Sequence, residues 1–282
     1  MQYSRLVTLS QSFHTDSSAS GYARRLSWDL ASDTYPSGFR CNVCGRENHG
    51  DPTLFTRETG ACSQCKATVR MRAAVCALSL GLFGKPLAIP DFPKSPPFTG
   101  LGLSDWEGYA NRLKKRLAYR NTFLHQSPFL DITNPPEELA GKHDFLISID
   151  VFEHIPPPVD RAFLGAASLL KRGACLVLSV PYSLHKSTVE HFPDLHQFEV
   201  VHAVGGFCLV NRRSDGTLEV FDRLNFHGGP GHTLEMRLFS KADLLSHLTA
   251  AGFGEVQVIS EDLAWGIHYD NDCSHTILAS KT

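Results

Sequence analysis

Four cysteines occur in two pairs whose spacing is typical of a metal site. Cys41 and Cys44 form one C-x-x-C pair, and after seventeen intervening residues Cys62 and Cys65 form a second. Each pair can present two thiolates on a tight turn, and Zn²⁺ takes four such ligands in a tetrahedron. Since four sulfur ligands leave no position for water, the spacing predicts a structural rather than a catalytic ion. A redox-active dithiol and unrelated free thiols are the alternatives.

Acidic residues follow two segments that the sequence predicts to be strands. Residues 145–149 are nearly all apolar, as in a central parallel strand, and Asp150 comes directly after them. Residues 99–105 indicate another strand, which ends in a glycine-bearing turn before Asp105. Because ligands bind beyond the carboxyl ends of parallel strands, we expect Asp105 and residues 150–154 on one binding edge of the sheet.

Histidine is concentrated in one long segment of the second half. Residues 183–235 contain His185, His191, His196, His202, His227 and His232. A histidine with a pKa near neutrality can accept a proton from a reacting group, and the candidates are His191 first, then His227 and His154. A second metal on His191 and His196 is the weaker interpretation, because five residues do not separate two side chains on one helix face.

The elements that must position these residues divide the chain into three parts. Residues 1–38 form a Ser-rich N-terminal extension, residues 39–95 a zinc-binding module with a helix over 66–83, and residues 96–282 an α/β domain. A run of prolines near residue 90 marks the boundary, because no long helix can pass through it. A substrate-side insertion is expected at about 183–235.

From Phe98 onward strand and helix signals alternate, which predicts a mostly parallel sheet with helices on both faces. The turn signal Ser214-Asp215-Gly216 indicates a hairpin inside the insertion. Helices are predicted over 109–117, over 159–170 with Gly173 as the C-cap, and over 241–251 with Ser240 as the N-cap. The other predicted strands cover 121–125, 174–180, 254–260 and 275–279.

Several motifs of this domain resemble those of class I S-adenosylmethionine-dependent methyltransferases. Asp150-Val-Phe-Glu-His154 resembles the D-V-(L/F)-E-H segment of that family, and Leu170-Lys-Arg-Gly-Ala174 resembles its L-K-P-G-G segment before the fifth strand. Leu130-Asp131-Ile132 resembles the acidic segment that approaches the adenine. A four-cysteine module joined to such a domain is similar to bacterial methyltransferases with a zinc-binding cap. The resemblance covers residues 96–282 and is sharpest between 98 and 182.

This resemblance implies a Rossmann-like methyltransferase sheet preceded by a small module of zinc-ribbon or treble-clef type. It implies S-adenosylmethionine as cofactor beside the structural Zn²⁺. The first loop has two glycines instead of three, and His125-Gln126 stands where an acid usually ends the second strand, so Asp105 would take the ribose contact. The cofactor-binding residues implied are Gly100, Gly102, Ser104, Asp105, Asp131, Ile132, Asp150, Val151 and Phe152.

The acceptor is expected to be a small molecule or a sugar-type compound. The alternatives are an RNA methyltransferase that docks through the basic zinc module and a non-enzymatic scaffold with a degenerate cofactor loop. Residues 1–95 hold 11 Lys and Arg against 7 Asp and Glu, whereas the rest of the chain is acidic, which argues against nucleic-acid binding along the whole face. No apolar run spans a bilayer, and cysteine usage fits a reducing cytoplasm. The oligomeric state is left open.

Overall fold

The computed structural model describes residues 6–9, 38–94, 97–227 and 233–282. Of the predicted N-terminal extension, only residues 6–9 and 38 are among them; the rest of that prediction lies outside the described residues. The four α-helices are α1 (Val69–Phe83), α2 (Glu107–Leu113), α3 (Asp160–Leu169) and α4 (Lys241–Ala250). The strands are β1 (Leu6–Leu9), β2 (Gly38–Arg40), β3 (Glu47–His49), β4 (Thr99–Leu103), β5 (Ala118–Thr122), β6 (His143–Ile149), β7 (Leu170–Ser179), β8 (Tyr182–Ser183), β9 (Val189–Glu190), β10 (Gln197–Ala203), β11 (Gly206–Arg212), β12 (Leu218–Phe221), β13 (Phe226–His227), β14 (Thr233–Leu234), β15 (Arg237–Ser240), β16 (Phe253–Ile259), β17 (Glu261–Asp262), β18 (Ile267–His268) and β19 (Thr276–Lys281).

Seven strands form the central sheet in the order β1-β16-β19-β7-β6-β4-β5. Strands β5, β4, β6 and β7 are parallel to one another, whereas β19 lies antiparallel between β7 and β16. Strands β16 and β19, which correspond to the strands predicted over 254–260 and 275–279, form the antiparallel side of the sheet together with β1. The prediction of a mostly parallel sheet is confirmed.

Side chains of the central strands alternate between two hydrophobic cores. Phe145 and Ile147 of β6 point to the face that α1 and α2 cover, whereas Leu146 points to the face that α3 and α4 cover. This alternation follows from the two-residue period of a strand. All three side chains are at most 1% exposed, as expected for a strand buried on both faces. The predicted helices on both faces are confirmed.

The zinc module begins with a β-hairpin and ends with helix α1. The hairpin of β2 and β3 encloses the first cysteine pair. The second pair immediately precedes α1, which is a treble-clef-like arrangement. Lys66 has a φ of 66°, a left-handed conformation that the helix cannot include, so α1 begins at Val69 and not at residue 66.

Helix α1 packs directly on the central sheet. Its residues Ala73 and Ala77 belong to the same hydrophobic core as Cys175 and Val177 of β7. A Cβ on Gly81 would lie 2.7 Å from the Cys175 sulfur, so glycine permits the close approach. The proline-rich joint therefore separates two segments of sequence but does not separate two cores.

The junction between α3 and β7 differs from the sequence prediction. Leu169 ends the helix and Leu170 already starts β7, so Gly173 lies inside the strand and is not a C-cap. Pairing with β6 passes from His143↔Leu170 to Phe145↔Cys175, which leaves extra residues in β7. Gly173 has a φ of 74°, and its freedom to adopt this conformation lets the strand bulge outward.

The insertion forms small antiparallel sheets above the central one. Strands β10, β11 and β12 form a three-stranded sheet, and the predicted hairpin turn is confirmed by the hydrogen bond from Arg213 N–H to Thr217 O. A separate small core fills the insertion, built on Phe192, Leu209 and Met236. Helix α4 follows, and its predicted N-cap is confirmed because the Ser240 hydroxyl accepts the Asp243 N–H.

Among the described helices, the longest has 15 residues, and none combines the length and hydropathy that crossing a membrane requires.

Candidate functional site

The four cysteine sulfurs converge at one end of the zinc module. The sulfurs of Cys41 and Cys65 lie 3.6 Å apart, as do those of Cys44 and Cys62. All four lie within 4.8 Å of one another. Zn–S bonds of about 2.3 Å in a tetrahedron put sulfurs roughly 3.8 Å apart, so the observed spacing fits one zinc ion. The Asn48 side chain donates to the Cys62 sulfur at 3.5 Å and supports its position.

Thiols packed this tightly favour a bound cation. Burial and the neighbouring sulfurs raise the pKa of Cys44 to about 11, so without a cation this thiol keeps its proton at neutral pH. A divalent ion offsets the repulsion among four thiolates and releases their protons. The donor set therefore supports the zinc prediction, with all four positions supplied by the protein.

Asp105, at the turn after β4, is buried and fully engaged within the protein. Its carboxylate accepts hydrogen bonds from the hydroxyls of Tyr109 at 2.7 Å and Tyr119 at 2.5 Å. Its N–H donates to the Asn121 side chain. Burial raises the pKa of Asp105 to about 7, although the two phenols act in the opposite direction. A Cβ on Gly102 would collide with this carboxylate, so the glycine makes room for Asp105.

Two non-glycine residues with positive φ mark the carboxyl ends of β4 and β6. Ser104 has a φ of 54° and Asp150 a φ of 55°. Their N–H groups donate to Thr122 O and Ser179 O, so each turn is fixed to the neighbouring strand. Non-glycine residues rarely adopt this conformation, and those that do cluster at binding sites. The structure thus places Ser104 and Asp150 at one edge of the sheet.

The Asp150 carboxylate pairs with two arginines of the zinc module. Arg57 Nη2 lies 2.5 Å from Asp150 Oδ1, and Arg70 Nη1 lies 3.0 Å from Asp150 Oδ2. Glu58 contacts both arginines on their outer side, at 2.6 and 2.7 Å. The Asp150 side chain is 20% exposed, so these partly buried ion pairs are stronger than pairs in open solvent. The module therefore reaches the strand-end edge directly.

Asp131 and Ile132 lie in a turn beside α3. One oxygen of Asp131 accepts hydrogen bonds from the Thr133 N–H and hydroxyl, at 2.8 and 2.7 Å. The second oxygen has no hydrogen bond within the described residues. Ile132 is buried, and its carbonyl oxygen lies against Gly165 of α3, where a Cβ would collide with it. The turn is thus held in place with one carboxylate oxygen available.

The remaining predicted cofactor residues occupy two different environments. Phe152 is fully buried and packs edge-on against Phe163 at 5.0 Å, so its side chain belongs to the core. Gly100 lies inside β4, where a Cβ would collide with the Phe145 ring. Val151 is half-buried and follows Asp150 at the edge. Of these residues, only Val151 presents a side chain near the binding edge.

The three histidines proposed from the sequence come together around two glutamates. His191 Nε2 lies 2.9 Å from Glu235 Oε1, and His227 Nε2 lies 2.9 Å from Glu235 Oε2. The Asn225 side chain also donates to Glu235. Burial opposes ionisation of Glu235, but hydrogen bonds from Asn225 and His191 outweigh it and lower its pKa. One charged carboxylate therefore orients both imidazoles.

His154 completes the group from the other side. Its ring lies 4.7 Å from that of His227, in an edge-to-face arrangement. Its Nδ1 donates to the carbonyl oxygen of Leu234 at 2.9 Å. Burial lowers the pKa of His154, so the ring is neutral at pH 7. We call His154, His191, His227, Glu153 and Glu235 the histidine cluster.

Sequence reasoning missed four groups that shape this region. Arg57 and Arg70 were interpreted as a basic surface, and no spacing links them to Asp150, which lies 80 or more positions away. Glu153 was part of the D-V-F-E-H motif but received no role. Glu235 gave no signal because it meets its histidines through strand pairing across the insertion and not through sequence spacing.

Comparisons with known proteins find distant structural likenesses. No protein-family model and no curated protein matches the sequence. The chain is similar to DesVI of Streptomyces venezuelae, with TM-score 0.42 and 12% identity over 74% of this chain and 92% of that one.

A second similar structure is the sugar N-methyltransferase KedS8 of Streptoalloteichus sp ATCC 53650, with TM-score 0.40 and 13% identity over 74% of this chain and 88% of that one. A third is the 1,6-didemethyltoxoflavin-N1-methyltransferase of Burkholderia thailandensis, with TM-score 0.38 and 14% identity over 76% and 78%. At such identities these likenesses concern the fold alone, and the α/β sheet of this chain is established by its own strand order.

Proposed function

We propose that this protein is an S-adenosylmethionine-dependent methyltransferase that acts on a small-molecule or sugar-type acceptor and carries a structural zinc ion. One observation carries the proposal. The five residues from Asp150 to His154 connect the strained strand-end edge to the histidine cluster. A cofactor edge and a group of potential bases are thus neighbours, as methyl transfer requires.

The edge of the sheet offers suitable contacts for the methyl donor. The available oxygen of Asp131 can accept a hydrogen bond from an adenine amino group. The turns at Ser104 and Asp150 form the floor of this site. Asp105 supports the first turn from below through Tyr109 and Tyr119, which revises its predicted role in ribose binding.

When bound, S-adenosylmethionine supplies a methyl carbon on a sulfonium, and the C–S bond breaks with its electron pair left on sulfur. The protein must orient the acceptor and receive its proton. Glu235 fixes the rings of His191 and His227, so either imidazole can take that proton without reorganising. The charged Glu235 then stabilises the imidazolium that forms, by the same logic as a carboxylate behind a catalytic histidine.

The RNA alternative loses much of the basic surface on which it depended. Arg57 and Arg70 are paired with Asp150 and Glu58, and Arg40 is paired with Asp91. Arg72 is fully buried and donates to backbone carbonyls. Side chains engaged in this way do not neutralise phosphates, and RNA binding depends on such charges.

Calorimetric titration of the zinc-loaded protein with S-adenosylmethionine tests the proposal. We expect saturable binding and, with a panel of sugar and small-molecule acceptors, formation of S-adenosylhomocysteine. His191→Asn should lower turnover by about 100-fold while leaving donor binding unchanged, because a general base contributes about that factor. The matched control His202→Asn, on the exposed strand β10, should not change turnover.

If the folded, zinc-loaded protein shows neither binding heat nor a thermal shift with the donor, the methyltransferase proposal fails. The non-enzymatic scaffold would then be the better interpretation. If the donor binds but His191→Asn and His202→Asn turn over equally, His191 is not the base.

A further inference from the structure

Glu153 has a buried carboxylate whose two oxygens accept no hydrogen bond from the described residues. Its side chain is 0% exposed, and both oxygens lack a hydrogen bond among the described residues. Burying a polar group without a hydrogen-bond partner is unfavourable, and native proteins rarely leave such a group so. A bound cation would supply the partner that these two oxygens lack.

Two imidazole nitrogens face this carboxylate at similar distances. His154 Nε2 lies 3.6 Å and His227 Nδ1 lies 3.7 Å from Glu153 Oε1. Both distances are too long for hydrogen bonds. Ligands of one cation bound at about 2.1 Å lie roughly 3.0–3.6 Å apart, so the observed distances suit two nitrogens and one oxygen around a metal. The three ligand atoms all lie within 4.8 Å of one another.

The outer nitrogens of both rings are already fixed. His154 Nδ1 donates to the Leu234 carbonyl oxygen, and His227 Nε2 donates to Glu235, both at 2.9 Å. In a neutral imidazole that donates from one nitrogen, the other carries a lone pair. In the neutral form of each ring, the lone pair would therefore face Glu153. Metal-binding histidines use this arrangement, with the second nitrogen held by a carboxylate or a backbone carbonyl.

We propose that Glu153, His154 and His227 bind a divalent cation, distinct from the zinc held by the cysteines. Two nitrogens and one carboxylate oxygen suit Mn²⁺, Fe²⁺, Co²⁺ or Zn²⁺, and three protein ligands leave coordination positions open. We assign those open positions to hydroxyl or carbonyl oxygens of the acceptor, and this assignment rests on the proposed methyltransferase function. His191, which has no place among the three ligands, remains as the proton acceptor of the cluster.

Titration of the zinc-loaded protein with Mn²⁺, followed by the electron paramagnetic resonance signal of the free ion, tests the site. Mn²⁺ prefers oxygen and nitrogen ligands and does not displace zinc from four thiolates. We expect one Mn²⁺ per chain. Glu153→Gln and His227→Asn should each weaken binding by about 10-fold or more, whereas His202→Asn should bind as the wild type does.

Thermal unfolding separates loss of the ligand from loss of the fold. Without Mn²⁺, Glu153→Gln should melt at or above the wild-type temperature, because an amide is less costly to bury than an unpaired carboxylate. Added Mn²⁺ should raise the melting temperature of the wild type and of His202→Asn only.

Absence of saturable Mn²⁺ binding, or equal binding by Glu153→Gln, would overturn the metal site. Donor binding, measured by calorimetry in metal-free buffer, is independent of this result. A protein that binds S-adenosylmethionine without Mn²⁺ refutes the metal site alone, and a protein that binds Mn²⁺ without the donor refutes the methyltransferase.

Discussion

At the scale of single residues, two aspartates at neighbouring strand ends have opposite surroundings. Asp105 is enclosed by the hydroxyls of Tyr109 and Tyr119, and burial raises its pKa to about 7. Asp150 lies between Arg57 and Arg70 at the partly exposed edge. The Asp105 carboxylate therefore stabilises a turn through two tyrosines, whereas the Asp150 carboxylate forms ion pairs with two arginines. The sequence, which placed both on one edge, could not separate these roles.

Replacing Asp105 by asparagine should remove a pH dependence of stability. The pKa of Asp105 is about 7 in the folded protein against 3.8 in the unfolded chain, so the folded state holds the proton more tightly. Proton binding at Asp105 therefore contributes most to the unfolding free energy at low pH, and this contribution is lost as pH rises through 7. Relative to Asp105→Asn, the wild-type unfolding free energy should fall by roughly 1 kcal/mol between pH 6 and 8.

Urea unfolding of both proteins across this pH range provides the measurement. Zinc release affects both proteins alike and cancels in the difference. Tyr119→Phe removes one hydrogen-bond donor that lowers the pKa of Asp105. The loss of unfolding free energy should therefore occur at higher pH in this variant. Parallel curves for wild type and Asp105→Asn would contradict the assigned pKa.

At the scale of elements, helix α3 fixes the turn that holds Asp131. Gly165 brings the helix against the carbonyl oxygen of Ile132, with Pro135 3.3 Å from the position of a Cβ. No larger residue fits between them without moving the turn. The position of α3 therefore determines the position of the Asp131 turn, because Gly165 lets the helix contact the Ile132 carbonyl oxygen.

Gly165→Ala should destabilise the protein and weaken donor binding. Alanine favours a helix by about 1 kcal/mol, but a methyl group forced against the Ile132 carbonyl costs about 1–3 kcal/mol. Chemical unfolding and S-adenosylmethionine titration measure both effects. Leu164→Ala, on the exposed side of the same helix, should stay within about 0.5 kcal/mol of the wild type and leave donor affinity unchanged. Full stability in Gly165→Ala would show that the helix can shift freely.

Elements with strong local signals were predictable from the sequence. The apolar run of β6, the N-cap Ser240 and the turn before Gly216 each determine their structure through nearby residues. The end of α3 was not predictable, because the bulge at Gly173 depends on pairing with β6. The pairing of Arg57 with Asp150 and of Glu235 with its histidines depends likewise on contacts distant in sequence.

At the scale of the whole molecule, opposite charges pair where the basic four-cysteine segment contacts the acidic remainder of the chain. The basic zinc module places Arg57 and Arg70 on the Asp150 carboxylate of the acidic domain. Arg72, fully buried, donates to the carbonyl oxygen of Gly266 from the same side. The four-cysteine module therefore carries the arginines that reach the proposed cofactor edge.

Removing one zinc ligand should lower stability and donor affinity together. Cys44→Ser should reduce zinc content, since three thiolates bind the ion less tightly than four. Lost metal binding is lost folding free energy, so the melting temperature should fall by about 10 °C. Donor binding should weaken because Arg57 and Arg70 are no longer held at Asp150.

Atomic absorption, thermal melting and calorimetry give the three readouts. Cys273→Ser, a substitution outside the cysteine cluster, is the control and should match the wild type in all three. Unchanged donor affinity in a zinc-depleted Cys44→Ser protein would show that the module does not support the edge.

Helix α1 follows the cysteines directly in the sequence, but it packs against the central sheet. Its inner face covers β6, β7 and β19, and Gly81 brings it close enough to touch Cys175. A polypeptide starting at Phe98 would open that aliphatic face to water and self-associate. The four-cysteine segment and the sheet are therefore expected to fold together and not as independent units.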